Sequence, residues 1–405
     1  MTKFFSLSGR SPAAMALIFL MTALVASLCA CSRGGGLAEL RRATVPDAVE
    51  SPQPRLDMQW RAPVVGYEPF VYRPLQYSQP QVSPDGEAVV VGTNEGEVVS
   101  LSTLDGKVNW RAELGGRVDA QPVFYEDLVI AGNDDGVLTA LAAGSGEKRW
   151  SYETRAEIDG AATVSQGRVF FMNTSDELYT LDVRTGKYLW SYGREMPDYF
   201  TLGNATRPAI YEDSVIVGFA DGFLVALQMD SGEELWEADL RSGEDDFTDV
   251  DGQPAVAGDW VYAASHAGGL FGLDARTGAR RWKLKVTGAS SAIVRGGALY
   301  TTTAGRYVMA VDRLTGQVFW QYRHRENTPS SPSTAAGYLF YGGSDGGFYI
   351  TESASGYPLL QFDPDAGFNA PITLHGAMTA QGNHRMMAYA FSNGGYLYCF
   401  EVVAR

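Results

Sequence analysis

The chain has 405 residues, of which 45% are hydrophobic and 20% are charged, and this balance excludes wholesale disorder because enough apolar surface is available to bury. Its 46 glycines and 12% aromatic residues favour many short strands joined by tight turns. The formal net charge of −15 argues against nucleic acid and anionic lipid headgroups as the main partners, because polyanions are repelled.

The first thirty residues have the features of an export signal. Lys3 and Arg10 precede an uncharged apolar run over residues 13–28, which is shorter than the roughly 20 residues that span a bilayer. The run ends in Leu28-Cys29-Ala30-Cys31, which resembles a bacterial lipobox. The resemblance implies that residues 1–30 are removed and that Cys31 is lipidated. Because Ser32 follows in place of aspartate, it also implies anchoring at the periplasmic face of the outer membrane.

Residues 31–56 are predicted to be the lipidated cysteine and a flexible tether, because this stretch contains glycine, proline and arginine without a sustained apolar period. A tether of this length has a typical reach of roughly 25 to 30 Å. Once Cys29 and Cys31 belong to the export segment, only Cys399 remains in the folded part. No disulfide or cysteine-rich metal site can then form within one chain.

A self-similar unit of about forty residues follows. In its full form a glycine is followed by a leucine, a second glycine and a tryptophan at fixed spacing, as in Gly96, Leu101, Gly106 and Trp110. Runs rich in β-branched residues flank the first glycine of each copy. Four antiparallel strands repeated radially are typical of a β-propeller blade.

The number of blades comes from the fragments at the two ends of the repeat region. Residues 59–62 match the last strand of a copy, whereas residues 385–403 supply earlier strands without a last one. Joining the fragments completes an eighth blade and removes open sheet edges. The sequence therefore predicts an all-β, eight-bladed β-propeller of four-stranded antiparallel blades over residues 57–403.

One tryptophan in each complete copy is predicted to be structural, because it lies in an outer strand and would press its ring on the neighbouring blade. Leu360 stands where the seventh copy would have its tryptophan. The tryptophans assigned this role are Trp110, Trp150, Trp190, Trp236, Trp282 and Trp320.

No catalytic constellation emerges from the motifs. The four histidines lack metal-ligand spacing, and Gly342-Gly343-Ser344-Asp345-Gly346 matches Gly-x-Ser-x-Gly in a strand-to-strand turn rather than a nucleophile elbow. Asp249-Val250-Asp251-Gly252 is similar to the middle of an EF-hand but lacks its first and twelfth ligands. The sequence therefore predicts no enzyme activity, no cofactor and no metal site.

Repeat spacing indicates a binding surface. Successive tryptophans from Trp110 to Trp320 are 40, 40, 46, 46 and 38 residues apart, and the two long steps are neighbours. Their extra residues fall in two connections between blades, 193–207 and 239–252, which are expected to rise side by side on one face. Apolar anchors, an arginine and an acidic rim favour a protein interface. The residues expected to bind a partner are Tyr199, Phe200, Leu202, Arg207, Asp249 and Asp251.

Two other interpretations of these connections stay open. Both can simply be tolerated long loops. A third long connection, Pro63 to Leu75, carries Tyr67, Phe70 and Tyr72 and is a weaker candidate for a binding surface.

The repeat resembles that of pyrroloquinoline-quinone (PQQ) type propellers, most plainly over residues 180–186 and 272–278. That family contains quinoprotein dehydrogenases as well as non-catalytic members. The resemblance therefore keeps a periplasmic PQQ-dependent oxidoreductase as the alternative function, although the mature chain lacks the adjacent cysteines that those enzymes carry.

An exported, lipid-anchored, eight-bladed propeller of this size resembles the BamB family of lipoproteins in the outer-membrane β-barrel assembly (BAM) complex. The resemblance implies a non-enzymatic scaffold that binds the POTRA domains of BamA and assists barrel insertion, with unfolded outer-membrane clients as further partners. The family's Leu-Arg-Gly and Asp-x-Asp interface motifs imply Leu202, Asp249 and Asp251. Gly203 follows Leu202 directly, so Arg207 is the candidate for the missing arginine.

Overall fold

The computed structural model describes residues 53–66, 75–195, 206–241, 248–250, 252–325, 327–364, 366–378 and 384–403. The predicted signal peptide and most of the tether, including Cys31, lie outside these ranges. Within them the regular elements are β-strands, and no helix has the length and apolar character needed to cross a bilayer.

The strands are numbered in chain order. The first strand and blades 1 to 3 comprise β1 (Arg55–Pro63), β2 (Gln81–Val82), β3 (Ala88–Gly92), β4 (Glu97–Ser102), β5 (Val108–Glu113), β6 (Val123–Tyr125), β7 (Leu128–Gly132), β8 (Val137–Ala142), β9 (Lys148–Glu153), β10 (Thr163–Ser165), β11 (Arg168–Asn173), β12 (Glu177–Asp182) and β13 (Tyr188–Gly193). Blades 4 and 5 comprise β14 (Ala209–Tyr211), β15 (Ser214–Gly218), β16 (Phe223–Gln228), β17 (Glu234–Asp239), β18 (Ala255–Ala257), β19 (Trp260–Ser265), β20 (Gly269–Asp274) and β21 (Arg280–Leu284). Blades 6 to 8 comprise β22 (Ile293–Arg295), β23 (Ala298–Thr302), β24 (Tyr307–Asp312), β25 (Val318–Arg323), β26 (Ser333–Ala335), β27 (Tyr338–Gly342), β28 (Phe348–Glu352), β29 (Pro358–Phe362), β30 (Thr373–Met378), β31 (His384–Phe391) and β32 (Tyr396–Val403).

These strands form eight four-stranded antiparallel sheets, which confirms the predicted fold class. Seven sheets take their strands consecutively, from β2–β5 to β26–β29. The eighth has the order β1-β32-β31-β30, so the N-terminal strand supplies the last strand of the C-terminal blade. Trp60 of β1 lies opposite Cys399 of β32 in this pairing. The ring is therefore closed by hydrogen bonds between the two ends of the chain.

The first strands of the blades lie nearest the axis of the ring, because first strands of neighbouring blades contact each other, as β14 does with β18 and β18 with β22. Antiparallel alternation then places the turn between second and third strands on the same face as the connection to the next blade. Leu240 N, for example, donates to Gly222 O across this face at 3.0 Å. We call it the connecting face.

The middle strands of each blade are buried on both sides, as β15 and β7 show along their whole length, because each sheet is covered by a neighbour on either side. The outer strands instead alternate between exposed and partly buried residues, as in β9 and β17. The core is therefore a series of apolar layers between adjacent blades rather than one central mass.

Tryptophans lock adjacent blades together. The Trp110 indole N–H donates to Ala143 O of the next blade at 2.8 Å, and its ring lies against Gly146. Gly146 has a φ of +72°, and a Cβ there would lie 2.6 Å from the ring. The turn therefore needs glycine both for its backbone and for the close approach. In the part of the chain that the structure describes, this contact occurs at Trp60–Thr103, Trp110–Ala143, Trp150–Val183, Trp190–Met229, Trp236–Ala275, Trp282–Arg313 and Trp320–Ser353.

The position of Leu360 in β29 has a topological reason. Each tryptophan packs on the turn between the third and fourth strands of the next blade. In blade 8 the third and fourth strands are β32 and β1, which come from opposite ends of the chain and share no turn. Blade 7 therefore has no turn glycine to face, and Leu360 joins an apolar cluster with Phe362, Tyr398 and Phe400 instead.

Candidate partner-binding site

The two long connections leave the connecting face on either side of blade 4. The first connection runs from β13 to β14, and the second runs from β17 to β18. The turn 219–222, which joins β15 to β16, lies between the starts of the two connections. Val250 N of the second connection donates to Phe219 O of this turn at 3.1 Å. Both connections therefore start next to one hairpin, on one face.

Phe223 is the centre of this region. The guanidinium carbon of Arg194, at the start of the first connection, lies 4.6 Å from the centre of the Phe223 ring. That of Arg241, at the start of the second, lies 4.7 Å from the same centre. A guanidinium over an aromatic face is attracted by the ring quadrupole. The two connections are therefore bridged by one aromatic ring, and we call Arg194, Phe223 and Arg241 the arginine–phenylalanine patch.

Carboxylates hold both arginines of this patch in place. Arg194 donates from Nε to Asp221 at 2.6 Å and from a terminal nitrogen to Glu237 at 3.0 Å. Arg241 forms two hydrogen bonds with Asp239, at 2.9 and 2.7 Å. The bonds from Arg241 also hold the pKa of Asp239 below its usual value. The patch is therefore ordered before any partner arrives, which lowers the entropy that binding costs.

Asp176 lies beneath the patch, in the turn between β11 and β12. Its carboxylate accepts a hydrogen bond from Ala220 N at 2.9 Å and is buried. Burial raises the pKa of Asp176 to about 7, and the negative charges of Asp221 and Asp249 act in the same direction. The carboxyl group therefore changes its charge near neutral pH.

The Asp176→Asn variant is expected to be more stable than the parent at pH 8. The folded pKa of Asp176 is above its unfolded value of 3.8, so ionisation favours unfolding increasingly as pH rises from about 4 to 7. Asparagine keeps the oxygen that accepts from Ala220 but does not ionise. We expect a gain of about 1–3 kcal/mol in the free energy of unfolding at pH 8.

This gain is measured by urea titration at pH 4 and pH 8. Asparagine also tolerates the positive φ of 57° at position 176, but that contribution is independent of pH. The stability difference is the free energy of unfolding of the variant minus that of the parent. The decisive result is how much this difference increases from pH 4 to pH 8. The exposed Asp127, changed to asparagine, is the control. An equal difference at both pH values would contradict the assignment.

The structure describes two of the predicted partner-binding residues, Asp249 and Arg207, and corrects the expected exposure of Asp249. Asp249 was expected in an exposed acidic rim, but it is only 2% exposed, and its backbone oxygen accepts from His266 N at 2.9 Å. It is buried because the chain after Thr248 turns inward to lead into blade 5. Asp249 therefore supports the connection from below and does not present a charge to solvent.

Arg207 was expected beside the apolar anchors, which lie outside the described residues, and it lies in the wall of the axial cavity, the space inside the ring of first strands. Its Nε donates to Thr163 Oγ1 at 3.3 Å, and a terminal nitrogen donates to Gln121 Oε1 at 2.9 Å. The reason is its position two residues before β14, where the chain already passes along the axis. Burial lowers the pKa of its guanidinium. Arg207 therefore faces the axis, and its role in partner binding stays a prediction.

The other predicted partner-binding residues, Tyr199, Phe200, Leu202 and Asp251, lie outside the described residues, as does the third long connection over 67–74. Sequence reasoning missed Arg194, Phe223 and Arg241. One signal was available: the third strands of blades 1 and 3 begin with glutamate, whereas that of blade 4 begins with Phe223. The signal is weak, because the same position holds Val137 in blade 2 and the aromatic Tyr307 in blade 6.

The alternative function, a PQQ-dependent oxidoreductase, requires side chains that bind PQQ and a calcium ion. Among the described residues, no group of three histidine, cysteine, aspartate or glutamate side chains is arranged to hold a metal ion. The described lining of the axial cavity contains Arg207 but no carboxylate. The residues that line the described part of the axis therefore do not fit a calcium-bound quinone.

Comparison with known proteins identifies the family. The family profile described as "Outer membrane protein assembly factor BamB" matches residues 57–159 and 132–322. The chain belongs to the BamB family. Its relatives include BamB of Shewanella oneidensis, 28% identical over 192 residues, which are 45% of this chain and 49% of the relative. BamB of Escherichia coli K12 is 27% identical over 197 residues, 46% of this chain and 50% of the relative. The chain thus spans about half the length of the curated relatives that it matches.

Solved structures agree on the fold. BamB from Moraxella catarrhalis superposes with a TM-score of 0.72 at 21% identity, covering 86% of this chain and 100% of that chain. A quinohemoprotein alcohol dehydrogenase from Pseudomonas putida superposes with a TM-score of 0.68 at 14% identity, covering 86% and 76%. At these identities the likeness shows the fold alone. The propeller is therefore common to BamB and to the dehydrogenases, and function has to be argued from the site.

Proposed function

We propose that this chain is a non-enzymatic scaffold lipoprotein of the BAM complex, anchored through Cys31 to the periplasmic face of the outer membrane. In this proposal it binds the POTRA domains of BamA and assists the insertion of barrel proteins. Membership of a family described as an outer-membrane protein assembly factor supports the general role.

One observation carries the choice of surface. The arginine–phenylalanine patch joins the starts of both long connections, and it combines an aromatic ring with two cations on a protein whose net charge is −15. The Arg241 side chain is 41% exposed and that of Arg194 is 18% exposed. Arginine and aromatic residues are enriched among the residues that dominate binding energy. This surface is therefore the best candidate for the POTRA contact.

The proposal predicts that Arg241→Glu reduces co-purification of BamA from envelopes by about tenfold or more. The substitution removes the contact with Phe223 and places a second carboxylate beside Asp239. Affinity purification of the lipidated protein, followed by quantification of BamA, measures the effect. Thermal unfolding of the variant checks that the fold is retained.

Arg117→Glu is the matched control. Arg117 pairs with Asp134 at 2.7 Å on the same face, between blades 1 and 2 and away from the long connections. We expect this variant to keep BamA. Retention of BamA by Arg241→Glu, or equal loss from both variants, would contradict the choice of surface. Leu202→Glu tests the contribution of the first connection and is expected to weaken BamA binding as well. Asp249 is unsuitable as a surface probe because it is buried.

The oxidoreductase alternative is tested separately. The purified protein is incubated with PQQ and calcium, and quinone absorbance and dye-linked alcohol oxidation are recorded. We expect neither a bound chromophore nor turnover. Turnover would overturn the scaffold proposal. Even then, loss of BamA from Arg241→Glu but not from Arg117→Glu would locate the surface that contacts BamA.

A further inference from the structure

A cavity of about 610 Å³ lies on the axis inside the ring of first strands, on the side of the connecting face. This volume is within the roughly 300–1,000 Å³ that is typical of small-molecule sites. Its lining is contributed by the segments that lead into the first strands of several blades. The cavity is therefore a shared product of ring closure, and no single repeat contains it.

The position two residues before each first strand recurs around the ring, once in each blade. In blade 4 this position is Arg207. In the other blades it is never charged: two have alanine or proline, and five have an uncharged polar residue, namely Gln79, Gln121, Gln253, Ser291 and Ser331. The cavity therefore has a polar wall with a single cation at this level of the ring.

The Arg207 guanidinium is held by neutral groups. Gln121 accepts from it at 2.9 Å and in turn donates its own amide to Gln81 Oε1 at 2.8 Å, so the orientation of the Gln121 amide is fixed. Thr163 Oγ1 accepts from Nε at 3.3 Å. Among the described residues, no carboxylate charge acts on the pKa of Arg207, which burial lowers.

A half-buried cation with neutral partners is poorly compensated, because taking it partly out of water is costly. A guanidinium also has five N–H donors, and the described residues accept from only two of them. Its planar fork matches the oxygens of a carboxylate or phosphate group. We propose that the axial cavity is a binding site for small anions bearing a carboxylate or phosphate group, with Arg207 as the charged binding residue.

The test uses the full-length lipidated chain in detergent, titrated with inorganic phosphate and, separately, with succinate at constant ionic strength. Calorimetry is expected to give saturable binding of at least one of the two, and thermal unfolding is expected to shift upward by about 2 °C or more at saturation. Comparison of the two titrations distinguishes phosphate from carboxylate as the preferred group.

Three variants make the test specific. Arg207→Gln is expected to weaken binding about tenfold or more, because the charge is lost. Gln121→Glu keeps Arg207 but supplies an internal carboxylate, and it is expected to abolish binding without lowering the unfolding temperature in chloride. Arg295→Gln, at an exposed position in β22, controls for general effects of phosphate on protein surfaces and is expected to bind as the parent does.

No saturable binding by the parent chain would overturn the proposal, as would unchanged binding by Arg207→Gln. If Arg207→Gln does not fold, Gln121→Glu decides, because anion binding that persists beside an internal counter-ion is incompatible with a site at Arg207. Neither result depends on BamA, so this inference and the proposed function can fail independently.

Discussion

Replacing Trp190 with alanine is expected to lower the free energy of unfolding by about 3–5 kcal/mol. The indole is buried between blades 3 and 4, packs with Phe170 at a ring separation of 6.0 Å, and donates to Met229 O at 3.1 Å. A Cβ on Gly232 would lie 2.6 Å from the ring, so the turn already approaches as closely as its atoms allow. Alanine would leave a cavity that this rigid turn cannot fill.

Urea denaturation of a chain without the lipid anchor measures this loss. Trp190→Phe keeps most of the apolar contact but removes the N–H donor, and we expect it to cost about 1–2 kcal/mol. Leu189→Ala, at the neighbouring 44% exposed position of β13, is the control and is expected to change stability by less than about 1 kcal/mol. A loss at Trp190→Ala no larger than at Leu189→Ala would show that the tryptophan contacts do not hold the blades together.

Removing strand β1 is expected to prevent folding to a monomer. A chain that starts at residue 64 lacks the partner of β32 and exposes a strand of eight residues, Tyr396–Val403, at an open edge. It also loses Trp60, which donates to Thr103 O of blade 1 at 2.8 Å. The indole contact between blades 8 and 1 then disappears together with the closure of the ring. Unpaired edges of this kind favour association between chains.

The measurement compares chains that start at residues 53 and 64 by size-exclusion chromatography and near-ultraviolet circular dichroism. The longer chain is expected to be monomeric and folded, and the shorter one to aggregate or lose its aromatic signal. Adding a peptide of residues 53–63 should restore the fold in part, and the same peptide with Trp60→Ala should restore it less. A folded monomer without β1 would mean that ring closure contributes little.

The blade repeat could be predicted because its chemistry is local. Trp110 and Gly146 are in different blades, yet each recurs at a fixed spacing, since every blade makes the same contact with the next. The closure of blade 8 was predictable for the same reason: fragments at both ends complete one repeat. Leu360, in place of a tryptophan, made the seventh copy look like a weakened repeat. Only the topology explained this substitution, because blade 8 has no turn on which a tryptophan could pack.

The candidate surface was predicted only in outline. Spacing between tryptophans located two long connections and placed them on one face, which the starts of both connections at Phe223 support. Composition then placed Asp249 in an exposed acidic rim, and this expectation was wrong because Asp249 is buried. Near the end of a long connection a charged residue is carried inward, where the chain enters the next first strand.

The sequence by itself determined the number of blades, the way the ring closes and the contacts that join neighbouring blades, because these depend on spacings that repeat along the chain. The tertiary structure alone decided which side chains meet across blades: Arg194 and Arg241 on Phe223, and Arg207 with Gln121 on the axis. Those contacts join residues far apart in sequence. Which side chains meet depends on how each sheet is oriented relative to its neighbours. No single repeat encodes that orientation.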